Sequence, residues 1–168
     1  KIISAFLFAI LLISCANGKE RIFIASTPIN NVLRTFLEIP LADSIDFIRW
    51  KLILNDNNYG LYCNYGISKS NTNGFISGGK KIELSGTLEK EKNYYQLKNG
   101  TAALKIIELN DNLLHLLNTD NSLLVGNGGW SYTLNNLKPS IAYEINIQTK
   151  QSLPEDSIVF DGRTPCNV

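Results

Sequence analysis

From Asp46 onward the apolar residues of this chain recur with a period of two, and no other feature limits its fold as tightly. Ile48, Trp50, Leu52 and Leu54 alternate with Arg49, Lys51 and Ile53. Ile82, Leu84, Gly86 and Leu88 alternate with Lys81, Glu83, Ser85 and Thr87. Ile141, Tyr143, Ile145 and Ile147 alternate with Ala142, Glu144, Asn146 and Gln148. Successive side chains of a strand point to opposite faces, so this pattern describes strands with one buried face. Turn residues separate the runs: Asn55-Asp-Asn-Asn58, Asn99-Gly100, Asn110-Asp111 and Thr119-Asp-Asn-Ser122. Asn-Gly in particular signals a tight hairpin. Further short strands are expected at 59–66, 93–98, 104–109, 113–117, 123–125, 130–134 and 157–160. Short strands joined by tight turns predict an all-β, antiparallel, roughly eight-stranded barrel. Eight strands enclose a space that side chains fill, or that holds one small ligand.

One segment breaks the period. Ile29, Val32, Leu33, Phe36 and Leu37 fall on the single stripe of an amphipathic helix. Thr27 offers an N-cap, Pro28 a first helical residue, and Pro40 stops the helix near Glu38. A membrane-lying helix would use a similar stripe with a basic face. This one carries a single Arg, which favours a helix plugging one end of the sheet. A short strand at Arg21 to Ala25 stands before it.

The first residues have another character. Lys1 leads an apolar run that ends in Ser14-Cys15-Ala16. The run is shorter than the about 20 apolar residues a membrane-spanning helix needs, and it has the layout of a secretory signal peptide. Leu12-Ile13-Ser14-Cys15 resembles a bacterial lipobox, in which the cysteine is lipidated and everything before it removed. Leu12 suits an ordinary signal peptidase badly. The expected organisation is a signal peptide at 1–14, a lipidated N-terminus and spacer at 15–20, and one barrel domain at 21–168. Ala16 stands where an Asp would favour inner-membrane retention, so the expected place is the bacterial cell envelope, at the outer membrane. The membrane is the expected partner, through lipid on Cys15.

Removing Lys1 leaves 15 basic residues against 15 acidic ones. That balance gives no electrostatic footprint for nucleic acid. Cys63 and Cys166 remain after Cys15 is assigned. An exported compartment permits a Cys63–Cys166 disulfide, although nothing local in the sequence supports one. Neither a Cys-x-x-Cys pair nor a His-rich cluster is present, so no metal or cofactor is expected. His115, the single histidine, lies between leucines and reads as a packed or outward-facing residue. Asn118 to Ser122 resembles a calcium loop only faintly, since Leu123 stands where such a loop needs glycine. With no nucleophile or acid–base constellation, the chain is not expected to be an enzyme.

Binding is the expected task. The Gly/Asn/Ser-rich loop from Ser68 to Lys80, around Phe75, is the longest irregular stretch. Trp50, Tyr65, Phe75, Trp130, Tyr132 and Tyr143 are candidates to line a pocket for a small apolar or peptidic ligand, or to meet an envelope protein. The alternative is that these aromatics are core and the barrel is a filled, structural or interaction module. Val159-Phe160-Asp-Gly-Arg-Thr164-Pro165-Cys166-Asn167 echoes Ile22-Phe23-Ile-Ala-Ser-Thr27-Pro28-Ile-Asn30. The echo makes 159–168 a candidate start of a second repeat in a longer protein.

Leu109-Asn-Asp-Asn-Leu-Leu-His115-Leu-Leu-Asn-Thr-Asp120 and Leu124-Val-Gly-Asn-Gly-Gly-Trp130-Ser-Tyr-Thr-Leu134 resemble a family of uncharacterised bacterial lipoproteins. Trp50-Lys-Leu52, Tyr65-Gly66, Asn73-Gly-Phe75-Ile-x-Gly-Gly79 and Gly162-Arg-Thr-Pro-Cys166 extend the likeness over most of the chain. The Leu-Leu-x-x-Asp hairpin is also similar to small lipocalin-like barrels such as the N-terminal domain of the NlpE envelope-stress lipoproteins. The resemblance implies a lipocalin-like barrel and no established activity. The Cys-x-x-Cys of the NlpE group is missing, so copper binding does not carry over.

Overall fold

The computed structural model describes residues 20–72 and 74–139. The signal-peptide and lipidation assignments (Cys15 included), the strands expected at 141–147 and 157–160, Tyr143, Cys166 and the repeat at 159–168 lie outside the described residues. Strand β1 is Arg21–Thr27, helix α1 Asn31–Phe36, β2 Phe47–Asn55, β3 Asn58–Gly66, β4 Lys80–Glu91, β5 Tyr94–Asn99, β6 Ala102–Asn110, β7 Leu113–Leu116 and β8 Thr133–Asn136. Each strand pairs antiparallel with the next, and β8 returns to β1, closing an eight-stranded up-and-down barrel. The helix lies after β1 and ahead of the other seven strands. The turn signals sit where expected, with Asn55 opposite Asn58 and Asn99 opposite Ala102.

The two-residue period turns one set of side chains inward. Ile48, Trp50, Leu52 and Leu54 of β2 stand opposite Tyr65, Cys63, Leu61 and Tyr59 of β3. Phe23, Ile48, Leu61, Leu97, Leu104, Ile106, Leu114, Leu116 and Leu134 are all 0% exposed. Side chains with no surface for a water-sized sphere adjoin no void of that size. They come from seven of the eight strands, so the middle of the barrel is filled. Burial of each large apolar side chain contributes about 2 kcal/mol.

Closure is uneven. The β4–β3 ladder runs from Lys80 to Thr87, whereas β4–β5 runs only from Leu88 to Glu91. The β1–β8 ladder comprises Phe23 and Ile24 against Asn136 and Asn135. The barrel is therefore tightly laced at the end where β1 begins and flared at the end where β1 leads into α1.

Helix α1 plugs the flared end with Leu33 and Phe36, and Leu37 and Ile39 follow them into the core. It starts at Asn31 rather than at Pro28. Asn30 is the N-cap, its Oδ1 accepting a hydrogen bond from the Leu33 amide at 2.9 Å. Thr27 instead ends β1, fully buried, and its hydroxyl accepts the Trp50 Nε1–H bond at 2.8 Å. A buried indole N–H without an acceptor is costly, so the hydroxyl serves Trp50 rather than the helix. Asn99 ties the helix to the β5–β6 turn, its Nδ2 donating to the Phe36 carbonyl at 3.0 Å.

The other end is closed by polar groups. Arg21 pairs with Glu108 at 2.6 Å, and the Tyr95 hydroxyl donates to the second Glu108 oxygen at 2.6 Å. Arg21 also reaches the Tyr95 oxygen and the Asp111 carbonyl, each at 3.0 Å. Lys90 approaches Glu108 at 3.8 Å.

Candidate functional site

The outward positions of β2, β3 and β4 form the most distinctive surface. The register places Arg49, Asn64 and Lys81 in one row across these strands and Lys51, Tyr62 and Glu83 in the next. Between the rows runs a groove of about 320 Å³, floored by the backbone of Trp50, Cys63 and Ile82. Tyr62 is 46% exposed, with the Lys51 ammonium 5.8 Å from its ring centre. Such a ring offers an apolar face beside a cation.

At the flared end this surface meets an aromatic stack. Phe47 points outward yet is buried, because two loops fold over it. Phe75 packs at 4.5 Å between ring centres, and Trp130 stacks on Phe47 at 4.5 Å with the planes 19° apart. The Arg49 guanidinium lies 5.6 Å from the Phe47 ring centre and 5.4 Å from that of Phe75. Phe47 and Phe75 belong to this outer cluster and not to the interior core.

Specific local chemistry holds the two loops. The Ser68 amide and hydroxyl both donate to one Asp46 carboxylate oxygen at 2.6 Å, which keeps that carboxyl below its ordinary range. Phe75 then bridges back to Ser68, and the Ile76 amide bonds to the Ile67 carbonyl at 2.9 Å. At Gly79, φ is +75°, and a Cβ there would lie 2.5 Å from Asn64 Oδ1 and 2.8 Å from the Tyr65 carbonyl oxygen. Only glycine lets the loop press this close to β3. Asn127 Oδ1 accepts from the amides of Gly129 and Trp130, so the second loop presents Trp130 to Phe47.

The expected pocket residues do not gather in one place. Trp50, Tyr65 and Tyr132 face the interior core, each 5% exposed or less. Tyr65 donates its hydroxyl to Asp43 at 2.9 Å, and Asp43 pairs with Lys80 at 2.6 Å. Phe75 and Trp130 belong to the outer stack, and only Trp130, at 38%, keeps a substantial exposed face. Cys63 is buried inside the barrel, and burial pushes its thiol up. Its candidate partner Cys166 is outside the described residues. Trp130 and Tyr132 precede β8 rather than lying on it, so their alternation with Ser131 reflects a loop and not a strand. The sequence reading missed Phe47 and Arg49. The available signal was the adjacent pair Phe47-Ile48, where one apolar residue must take the outward side of the strand.

His115 is also accounted for. Its Nε2 lies 2.9 Å from the Leu124 carbonyl and its Nδ1 2.9 Å from the Thr133 hydroxyl. A carbonyl only accepts, so Nε2 donates to Leu124, while Nδ1 shares a hydrogen bond with the Thr133 hydroxyl. The ring thus pins the loop before β8 to β7. A second groove, of about 370 Å³, lies on the wall of β4, β5 and β6 beside Tyr94 and Gln96. Its charges are largely engaged, Lys98 with Glu89 nearby and Lys105 with Asn121 at 2.7 Å.

Among the described residues no three His, Cys, Asp or Glu side chains gather as a metal site. No helix among them is long and apolar enough to cross a membrane. No protein-family model, no curated protein and no solved structure matches the chain.

Proposed function

We propose that this chain is a bacterial envelope lipoprotein, anchored to the outer membrane through Cys15, whose filled barrel is a rigid, non-catalytic binding module. The observation that carries this reading is the packed interior. Side chains from seven strands leave no water-sized void beside them, which favours a partner on the outer surface over a small apolar ligand in the lumen. The apolar run ending in Leu12-Ile13-Ser14-Cys15 supports the anchor. Arg21 stands opposite Leu54, at the laced end of the barrel. A tether a few residues before Arg21 would turn that end to the membrane. The flared end, with its loops and aromatic stack, would then face away.

Two measurements test the reading. Metabolic labelling with an alkyne fatty acid is expected to mark the wild-type chain and not the Cys15→Ser variant, which moves to the soluble fraction. Equal labelling of both would remove the anchor from the proposal. Native mass spectrometry of the purified chain is expected to show protein and anchor alone. A co-purified apolar molecule in stoichiometric amount would restore the lumen as the binding site.

A further inference from the structure

We infer that the free edge of β4 at the flared end accepts an extended segment of a partner protein as an added strand. The inference deepens the surface-binding reading above and rests on it.

Twelve residues form β4, but its two neighbours share them unequally. Residues Lys80 to Thr87 pair with β3, and only Leu88 to Glu91 pair with β5. Strand β5 ends at Asn99, which falls opposite Gly86 when the β4–β5 register is continued. Lys80 to Ser85 therefore extend past the end of β5, and among the described residues no strand lies on that side. The backbone contacts made outside the strand ladders by the described residues do not involve these six. An unpaired strand edge is a template for another strand.

The side chains along this edge fit an occupant rather than bare protection. Ile82 and Leu84 face inward with Cys63 and Leu61, yet unlike them are only partly buried. Apolar surface is thus left open beside the free edge. Lys81 and Glu83 alternate with them on the outward side, and both are exposed. The ion pairs among the described residues engage Arg21, Lys80, Lys90 and Lys98, leaving Lys81 and Glu83 unneutralised. An added strand would lay apolar residues beside Ile82 and Leu84. On its other face it would set an acidic residue by Lys81 and a basic one by Glu83. Backbone hydrogen bonds supply the attraction, and this pattern supplies the register.

The test uses the full chain and three synthetic eight-residue peptides. One alternates Val with Glu and Lys in the complementary order, one is its scrambled form, and one carries N-methyl groups at alternate amides. Hydrogen exchange is followed by NMR. In the free chain, the amides of Lys80 to Ser85 that point away from β3 are expected to exchange at least about 100-fold faster than those bonded to β3. The patterned peptide is expected to slow them. The N-methylated peptide should not, because it lacks the donors. Lys81→Glu, on an exposed side chain, is expected to weaken the patterned peptide about tenfold. Three results overturn the proposal: no protection by the patterned peptide at millimolar concentration, equal protection by the scrambled or N-methylated peptide, or no response to Lys81→Glu. Protection already present in the free chain and lost on deletion of residues 140–168 also overturns it, by assigning the edge to this chain's own C-terminal segment.

Discussion

The two ends of the barrel are closed by opposite chemistry. At the flared end α1 inserts hydrocarbon, with Leu33 and Phe36 at 1% exposure or less. At the laced end Arg21, Glu108, Tyr95 and Lys90 turn inward and satisfy one another. An apolar plug stabilises by excluding water and has no ionisable group for pH to change. A polar plug stabilises only while its ionised partners keep their charges and its hydroxyl keeps its hydrogen bonds. Burial opposes ionisation of Glu108. The Tyr95 hydroxyl, the Arg21 guanidinium and the nearby Lys90 outweigh it and hold the carboxyl below its ordinary value of 4.5. The laced end is thus conditional where the flared end is not.

The sharpest way to break this comparison is Phe36→Ala. The loss should be about 3–4 kcal/mol in urea denaturation, nearly the same at pH 5 and pH 8. A loss below about 1 kcal/mol would mean that α1 covers the mouth without filling it. Glu108→Gln comes next. It keeps the shape and leaves Arg21 without its counter-charge, at a cost of about 1–2 kcal/mol, reduced because both side chains are partly exposed. The triple variant Arg21→Met/Tyr95→Phe/Glu108→Leu, which leaves no hydroxyl of Tyr95 without a partner, should recover most of that loss, and failure to recover would show that shape rather than charge closes this end.

The same pair sharpens the comparison through pH. A carboxyl depressed in the folded state contributes stability above its unfolded pKa and loses it as pH falls through the folded value. The stability gap between wild type and Glu108→Gln should therefore be full above about pH 5 and shrink toward pH 3. A gap that stays constant over that range would remove Glu108 ionisation from the account. Smallest is Asn30→Ala, which deletes the cap of α1 and should cost about 1 kcal/mol. Thr27→Val, which deletes the hydroxyl that Trp50 uses, should leave α1 intact, and loss of helix signal there would return the cap to Thr27.

Much of the barrel was legible in the residues. Alternation in β2 and β4 named the inward faces correctly, and Asn55 to Asn58 and Asn99-Gly100 marked hairpins that formed where expected. These features depend on neighbours a few positions apart. The candidate site was far less legible. The aromatics read as one group divide into Trp50, Tyr65 and Tyr132 within the wall and Phe75 and Trp130 outside it. Nothing in their spacing distinguishes the two sets, because the choice is made by Phe47, which lies far from both Phe75 and Trp130 in the chain.

What the sequence determined by itself is the strand period, the hairpin turns, the existence of one helix and the apolar N-terminal run. Each follows from local conformational preference and local hydrophobic spacing. Tertiary structure alone decided the return of β8 to β1, the transfer of the helix cap from Thr27 to Asn30, and the shortfall of β5, which among the described residues pairs with β4 only from Leu88 to Glu91. Each of these is settled by a contact between segments distant in sequence, where a buried polar group finds its partner or a strand ends before its neighbour does.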